Sequence, residues 1–147
     1  MRTEAFEVLG VVLEWKVRGE ETGGKYCLVT AMVLPGVMVP PHQHVEPESF
    51  YLLEGEGEFA SLIDGELVWK SVRVGDVVNI PSDSVHGFRN ASSSNMRCII
   101  TADPGIQGFF DEAGLPLSAT PAPPTPADIE RVLAIARKHG QRFLPAA

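Results

Sequence analysis

Between Val11 and Thr101 the chain breaks into short runs rich in β-branched and apolar residues, each closed by a turn signal. That rhythm constrains the fold more than any other feature. Val11, Leu13, Trp15 and Val17 alternate with Glu14, Lys16 and Arg18, the period of two of a half-buried strand. Similar runs follow at 26–34, 49–53, 58–63, 66–74, 76–80, 85–89 and 96–101. Pro35-Gly36, Gly75-Asp76 and Pro81-Ser82-Asp83 punctuate them, and Asp64-Gly65 is the dipeptide of a two-residue hairpin. Many short strands with regular turns predict an all-β antiparallel sandwich or barrel. A chain of 147 residues is one domain in length and buries about two-thirds of its unfolded surface, enough for a core without disulfides.

From Pro104 the character changes. Gln107–Ala113 reads as a short helix with Gly114 as its stop, and 115–125 carries Pro116, Pro121, Pro123 and Pro124, an extended surface stretch. Thr125-Pro126-Ala127-Asp128 then combines an N-cap, a proline at the first helical position and an acid in the first turn. Ile129, Val132, Leu133 and Ala136 fall on one apolar face, and Arg137, Lys138 and His139 occupy the last turn before Gly140. A cation there meets the negative end of the helix dipole, which accounts for His139. The expected organisation is a strand-rich body over 1–103 and a C-terminal extension over 104–147 packed onto it, one domain overall.

Composition narrows the function. Twelve Lys and Arg against nineteen Asp and Glu give a net charge of −7, which argues against a nucleic-acid partner. No window approaches the roughly 18 uninterrupted apolar residues of a membrane-spanning helix. The N-terminal Met1-Arg-Thr-Glu-Ala-Phe-Glu lacks the pattern of a signal peptide, so the expected location is the cytoplasm. Cys27 and Cys98 lie inside apolar runs and are expected to be buried free thiols. Trp15, Trp69 and Tyr51 are read as packing residues.

Three of the four histidines fall near turns of the strand-rich body. His42 and His44 are two apart, so on an extended segment both rings leave one side of the chain. Glu46 and Glu48 share that parity, although Pro47 between them bends the strand, and His86 arrives after Pro81. Two imidazoles, a carboxylate and a distant third imidazole make a metal-ligand set. The apolar run Phe50, Tyr51, Leu52, Leu53 follows at once, and ionisable groups beside it are costly to bury unless a bound cation compensates them.

The spacing of these residues resembles the two motifs of the cupin superfamily. Gly36, His42, His44, Glu48 and Gly55 match the first motif at every interval; Gly75, Pro81, His86 and Asn90 match the second. Asp83 stands where the family has glycine, at a turn position that usually takes a positive φ. Asp tolerates that geometry better than most residues. The resemblance implies a small double-stranded β-helix, or jelly-roll, barrel with a C-terminal α-helix and a metal inside near one end. Its ligands would be His42, His44, Glu48 and His86, with Glu46 a rival to Glu48 by parity alone. Such a nitrogen-rich set suits one divalent transition metal, whether Fe, Mn, Co, Ni, Cu or Zn, and leaves open positions for a substrate. Asn90 shares the parity of His86 and is expected to hydrogen-bond, either in support of the ligands or in a purely structural role.

Phe50, Leu52 and Phe88 share parity with the ligands and should face the interior, with Met38 at its mouth. A cavity so lined is apolar and prefers a flat or aromatic small molecule over a sugar. The Phe109-Phe110 segment, the proline-rich stretch and the final helix are similar to single-domain cupins described as quercetin-dioxygenase-like. That likeness implies a dioxygenase in which Glu48 takes the proton of an enol or phenol hydroxyl and dioxygen adds to the electron-rich skeleton. A non-redox isomerase, cyclase or lyase, or a module that binds a small ligand without turnover, are the alternatives. Cupins commonly dimerise through edge strands, and Val11–Val17 is read as such an edge, so a homodimer is expected.

Overall fold

The computed structural model describes residues 5–117 and 123–144. In chain order the elements are β1 (Ala5–Val8), β2 (Val11–Val17), β3 (Cys27–Val33), β4 (Met38–Gln43), β5 (Glu48–Glu54), β6 (Glu56–Ile63), β7 (Glu66–Arg73), β8 (Val77–Ile80), β9 (His86–Arg89), β10 (Met96–Ala102), α1 (Gln107–Ala113), α2 (Pro126–Lys138) and β11 (Arg142–Phe143). One sheet runs β1-β2-β3-β10-β5-β8 and the other β11-β4-β9-β6-β7. These two antiparallel sheets close on a shared core as a jelly-roll barrel. The Asp64-Gly65 hairpin joins β6 to β7 across the Ile63↔Glu66 pair. Both turn residues have positive φ, 51° and 80°, which is what a type I′ turn requires.

Alternation puts Cys27, Val29, Ala31 and Val33 of β3 in the core, opposite Met96, Cys98 and Ile100 of β10. Both thiols are free and buried, and burial pushes Cys98 up to about 12, so neither is a nucleophile at neutral pH. Phe50 from one sheet meets Phe59 and Phe88 from the other, with ring centroids 5.0 to 5.6 Å apart. This aromatic layer ties the sheets together. Trp15 is likewise buried, whereas Tyr51 is 49% exposed and so is not a core residue.

β4 carries a feature that its sequence hides. Val39 pairs with Phe88 and His42 with His86, so three steps along β4 match two along β9. The extra residue lies at Pro40-Pro41, where neither nitrogen can donate to a ladder and a bulge is the natural outcome. Gly87 makes room for it. A Cβ there would lie 2.9 Å from the Val39 carbonyl oxygen and 3.0 Å from the Pro41 nitrogen.

The extension clasps the barrel at two places. Phe110 of α1 joins Phe6 and Trp15 in a second aromatic cluster, with centroids 6.0 to 6.1 Å apart, and Arg18 holds Asp111 through two bonds of 3.0 and 2.6 Å. α2 begins with a reciprocal cap in which Asp128 N–H donates to Thr125 Oγ1 and Thr125 N–H donates to Asp128 Oδ2. Val132 and Ala136 are buried with Ile135 half-buried, while Ile129 in the first turn is 39% exposed and leaves the expected face. His139 caps the helix and donates to Glu112 over 3.0 Å. The chain then returns as β11 onto β4, so the extension completes a barrel sheet as well as packing upon it. The proline-rich stretch 115–125 falls in part on 118–122, outside the described residues.

One expectation is corrected here, and an open alternative is decided. β2 is no edge: β1 covers it from Ala5↔Glu14 to Val8↔Val11, and Glu7 in turn exchanges two backbone hydrogen bonds with Leu115. The edge argument for a homodimer therefore does not apply to Val11–Val17. Asn90, 1% exposed, does not contact the histidines. Its Nδ2 donates to the carbonyls of Val33 and Ser94, its Oδ1 accepts from Ser92 N–H and Oγ–H, and its backbone pairs with Gly36 and Val37. The side chain lies at the end of β9 remote from His86, where it knots two loops. Among the described residues, no helix is long and apolar enough to cross a membrane.

The Asn90 knot is testable. Asn90→Ala takes a donor from the buried Val33 carbonyl and removes the acceptor of Ser92, and should cost about 1–3 kcal/mol in urea unfolding. Metal bound per chain should be unchanged. Lost metal with unaltered stability would instead place Asn90 in the metal site.

Candidate metal centre

His42 at the end of β4 faces His86 at the start of β9 as a direct cross-strand pair. His44 follows in the loop, and Glu48 opens β5 on the opposite sheet. The loop is pinned in place: Asp83 N–H donates to the His44 carbonyl over 2.8 Å, and Ser82 Oγ–H donates to the Val45 carbonyl over 2.6 Å. Asp83 has φ 62°, the left-handed geometry expected of it, and its carboxylate meets Arg142 of β11. Two imidazoles from one sheet, a third from the loop after β4 and a carboxylate from the other sheet thus converge inside the barrel.

The convergence has a chemical direction. His42 Nδ1 lies 2.8 Å from the Pro40 carbonyl, His44 Nδ1 2.9 Å from that of Glu46, and His86 Nδ1 2.9 Å from that of Ser84. A carbonyl oxygen can only accept, so each Nδ1 carries the proton and each Nε2 of a neutral ring presents a lone pair inward. Such outer hydrogen bonds fix the tautomer and orientation of metal-ligating histidines. Glu48 Oε1 reaches the same space, 3.0 Å from His86 Nε2 and 3.7 Å from His44 Nε2.

Burial sharpens the electrostatics. His86 is 1% exposed, and His42, His44 and Glu48 are all buried. Desolvation, with the neighbouring His86, pushes His42 down to about 3, so that ring stays neutral. Burial is the largest influence on His44 and Glu48 and opposes the charged form of each, but the polar and charge interactions among His44, His86 and the Glu48 carboxylate together outweigh it. His44 is raised, and Glu48, hydrogen-bonded to His86 with His44 close by, is held at about 2. The carboxylate is therefore ionised at neutral pH.

This donor set fits a divalent transition metal. The ligand nitrogens of His42, His44 and His86 lie within 4.8 Å of one another. Two nitrogens each about 2.1 Å from one ion are at most about 4.2 Å apart, so small ring rotations close the set. Glu48 adds the single negative charge. The carboxylate of the rival Glu46 makes no hydrogen bond with the three imidazoles; what that residue supplies is its backbone carbonyl, which holds His44 in place.

A cavity opens over His42, His44 and Glu48. Phe50 and Phe88 form part of its lining, as their parity requires. Leu52 points the same way but is fully buried and does not line it. Met38 is 47% exposed and faces away, because the Pro40-Pro41 bulge reverses parity and turns Val39 inward instead. The far wall comes from residues that the sequence did not assign to the cavity: Ile106, Phe109 and Phe110 around α1, Val132 of α2, and Gln141 and Phe143 at the C-terminal return. Phe143 stacks on His42 with centroids 5.0 Å apart and planes 25° apart, and pairs with it across β11 and β4.

Comparison with known proteins agrees with this architecture. The polyketide cyclase RemF from Streptomyces resistomycificus has a similar structure, with a TM-score of 0.60 at 20% identity over 69% of this chain and 74% of that one. A predicted oxalate decarboxylase from Thermotoga maritima gives a TM-score of 0.57 at 24% identity, over 70% of this chain and 92% of that one. Likeness at this level of identity is likeness of fold. In sequence, L-ectoine synthase from Halomonas elongata is 28% identical over 88 residues, 60% of this chain and 61% of that enzyme. The matched part thus spans less than two-thirds of the ectoine synthase. Residues 29–102, which hold both histidine motifs and all four converging side chains, match the family described as the cupin domain. With half of its length matched there and the barrel to go with it, the chain belongs to the cupin family.

Proposed function

We propose that this cupin is a metal-dependent enzyme that acts on an apolar, enolisable or phenolic small molecule, with dioxygenation as its reaction. The observation that carries the reading is the His42, His44, Glu48 cluster at one end of a cavity whose remaining lining is apolar except for Gln141. No Lys or Arg lines it among the described residues. A dicarboxylate entering it would lose its hydration with no protein cation to replace it, so an uncharged substrate suits the site better. Flat aromatic and enol frameworks fit walls built from Phe50, Phe88, Phe109, Phe110 and Phe143.

When bound, a divalent transition metal supplies Lewis acidity and redox capacity beside the substrate oxygen. The chain supplies the proton acceptor. Glu48 is ionised, buried and aimed at the same point as the imidazoles, so it is placed to take the proton of an enol or phenol and hold it at a carboxylate oxygen. Outside the ligand set, no second acid lines the cavity among the described residues. A dehydration would have to return the proton taken by Glu48 to its leaving hydroxide, whereas oxygenation of an enolate begins without that return. Non-redox cyclisation is the second reading. It is supported by the likeness to a polyketide cyclase and to L-ectoine synthase.

Oxygen uptake separates the two. With metal-loaded protein and a panel of flavonols and β-diketones, substrate loss should match oxygen consumption and stop under nitrogen. Conversion that continues under nitrogen would establish the cyclase or lyase reading. Glu48→Gln should keep the fold, weaken metal binding moderately and lower turnover by on the order of 10²–10⁴. Retained metal with an unchanged rate would remove the proton-acceptor role. His86→Ala should empty the site by elemental analysis, because a methyl group offers no lone pair, while Glu46→Gln should leave metal content intact.

A further inference from the structure

Gln141 lies outside the matched cupin region and enters the cavity from the C-terminal extension. Its backbone is held from both sides. Gln141 N–H donates to the Ala136 carbonyl over 2.9 Å and Gly140 N–H to that of Arg137 over 3.1 Å, the paired closure of a helix whose next residue turns left-handed. Gly140 has φ +81° and supplies that turn. On the other side Arg142 and Phe143 pair with Gln43 and His42. Gln141 is therefore positioned before any ligand arrives.

Its side chain is out of keeping with its place. The residue is 3% exposed, and its carboxamide makes no hydrogen bond to any described residue. No side-chain nitrogen or oxygen in the described structure is both fully enclosed and unpartnered, so the carboxamide borders open space, and the cavity that Gln141 lines is that space. A leucine would suit an apolar wall better, because a buried amide without a partner is costly.

We infer that Gln141 is a positioning residue whose carboxamide hydrogen-bonds a second, uncharged oxygen of the substrate. This rests on the function proposed above and narrows it: the substrate carries one enol or phenol hydroxyl for the His and Glu48 cluster and a separate carbonyl or hydroxyl for Gln141. A carboxamide both donates and accepts, and it is neutral, so it matches a ketone or alcohol rather than a carboxylate.

The test uses the full chain loaded with Ni(II) and calorimetric titration with matched probes. 3-Hydroxyacetophenone and 4-hydroxyacetophenone carry a phenol and a separate ketone; 4-ethylphenol has similar bulk and no ketone. In Gln141→Leu at least one hydroxyacetophenone should bind about 5–10-fold more weakly, the loss expected of one neutral hydrogen bond, with 4-ethylphenol unchanged. Metal content should match wild type, and the unfolding temperature should be no lower than that of wild type. Gln141→Met, unbranched and of similar length, replaces the leucine variant if that one does not fold. Equal weakening of all three probes would show a merely structural role and overturn the assignment. No weakening of any probe would overturn it too, while leaving the proposed function standing. Failure of every probe to bind the metal-loaded wild type would remove the phenol and enol reading and this assignment with it.

Discussion

Burying three imidazoles and a carboxylate side by side is costly unless they share a proton or a cation, and the centre of this barrel is built from those four groups. Each imidazole gives its Nδ1 proton to a backbone carbonyl two residues away, which commits its Nε2 to the interior. Glu48 arrives ionised from the opposite sheet. Nothing local favours such an arrangement. It persists because the strands bearing these side chains are held by packing elsewhere, and a shared divalent cation would add attraction among the four groups.

Two devices provide that support. Beneath the cluster, Phe50, Phe59 and Phe88 lock the sheets face to face, each of Phe50 and Phe88 lying two residues beyond a converging side chain, Glu48 and His86. Beside it, the Pro40-Pro41 bulge shifts the register by one residue, so that Val39 and His42 both face inward. A regular strand would present one of them to solvent. Gly87 on the neighbouring strand lets the bulge approach. The converging side chains are thus positioned by irregular backbone that regular backbone encloses.

The C-terminal extension walls the cavity that opens over the histidine and Glu48 cluster. α1 docks through Phe110 and Asp111, α2 buries Val132 and Ala136, and β11 lays Phe143 against His42. The wall that faces the ligands is therefore drawn from chain remote in sequence from them. Cupins with like ligand sets can differ in reaction for this reason, since the metal end belongs to the motifs and the wall does not.

Much of this was legible in the residues alone. Period-two alternation located most strands, Asp64-Gly65 located a hairpin, Thr125 to Asp128 marked the start of the last helix, and the spacing of His42, His44, Glu48 and His86 picked out the side chains that converge. These are local signals, written in neighbours along the chain. β1, β4 and β11 were missed because they are short or proline-bearing and form only by pairing with a partner already in place. Met38 was misplaced because parity counting assumes an unbroken pleat, and Leu52 because parity gives a direction and not a depth. Asn90 had the right parity for the site but the wrong end of its strand. Gln141 was invisible for a deeper reason. Its meaning depends on a helix ending, a chain reversing at Gly140 and a strand pairing across the barrel, and no local pattern can encode a distance closed only by tertiary packing.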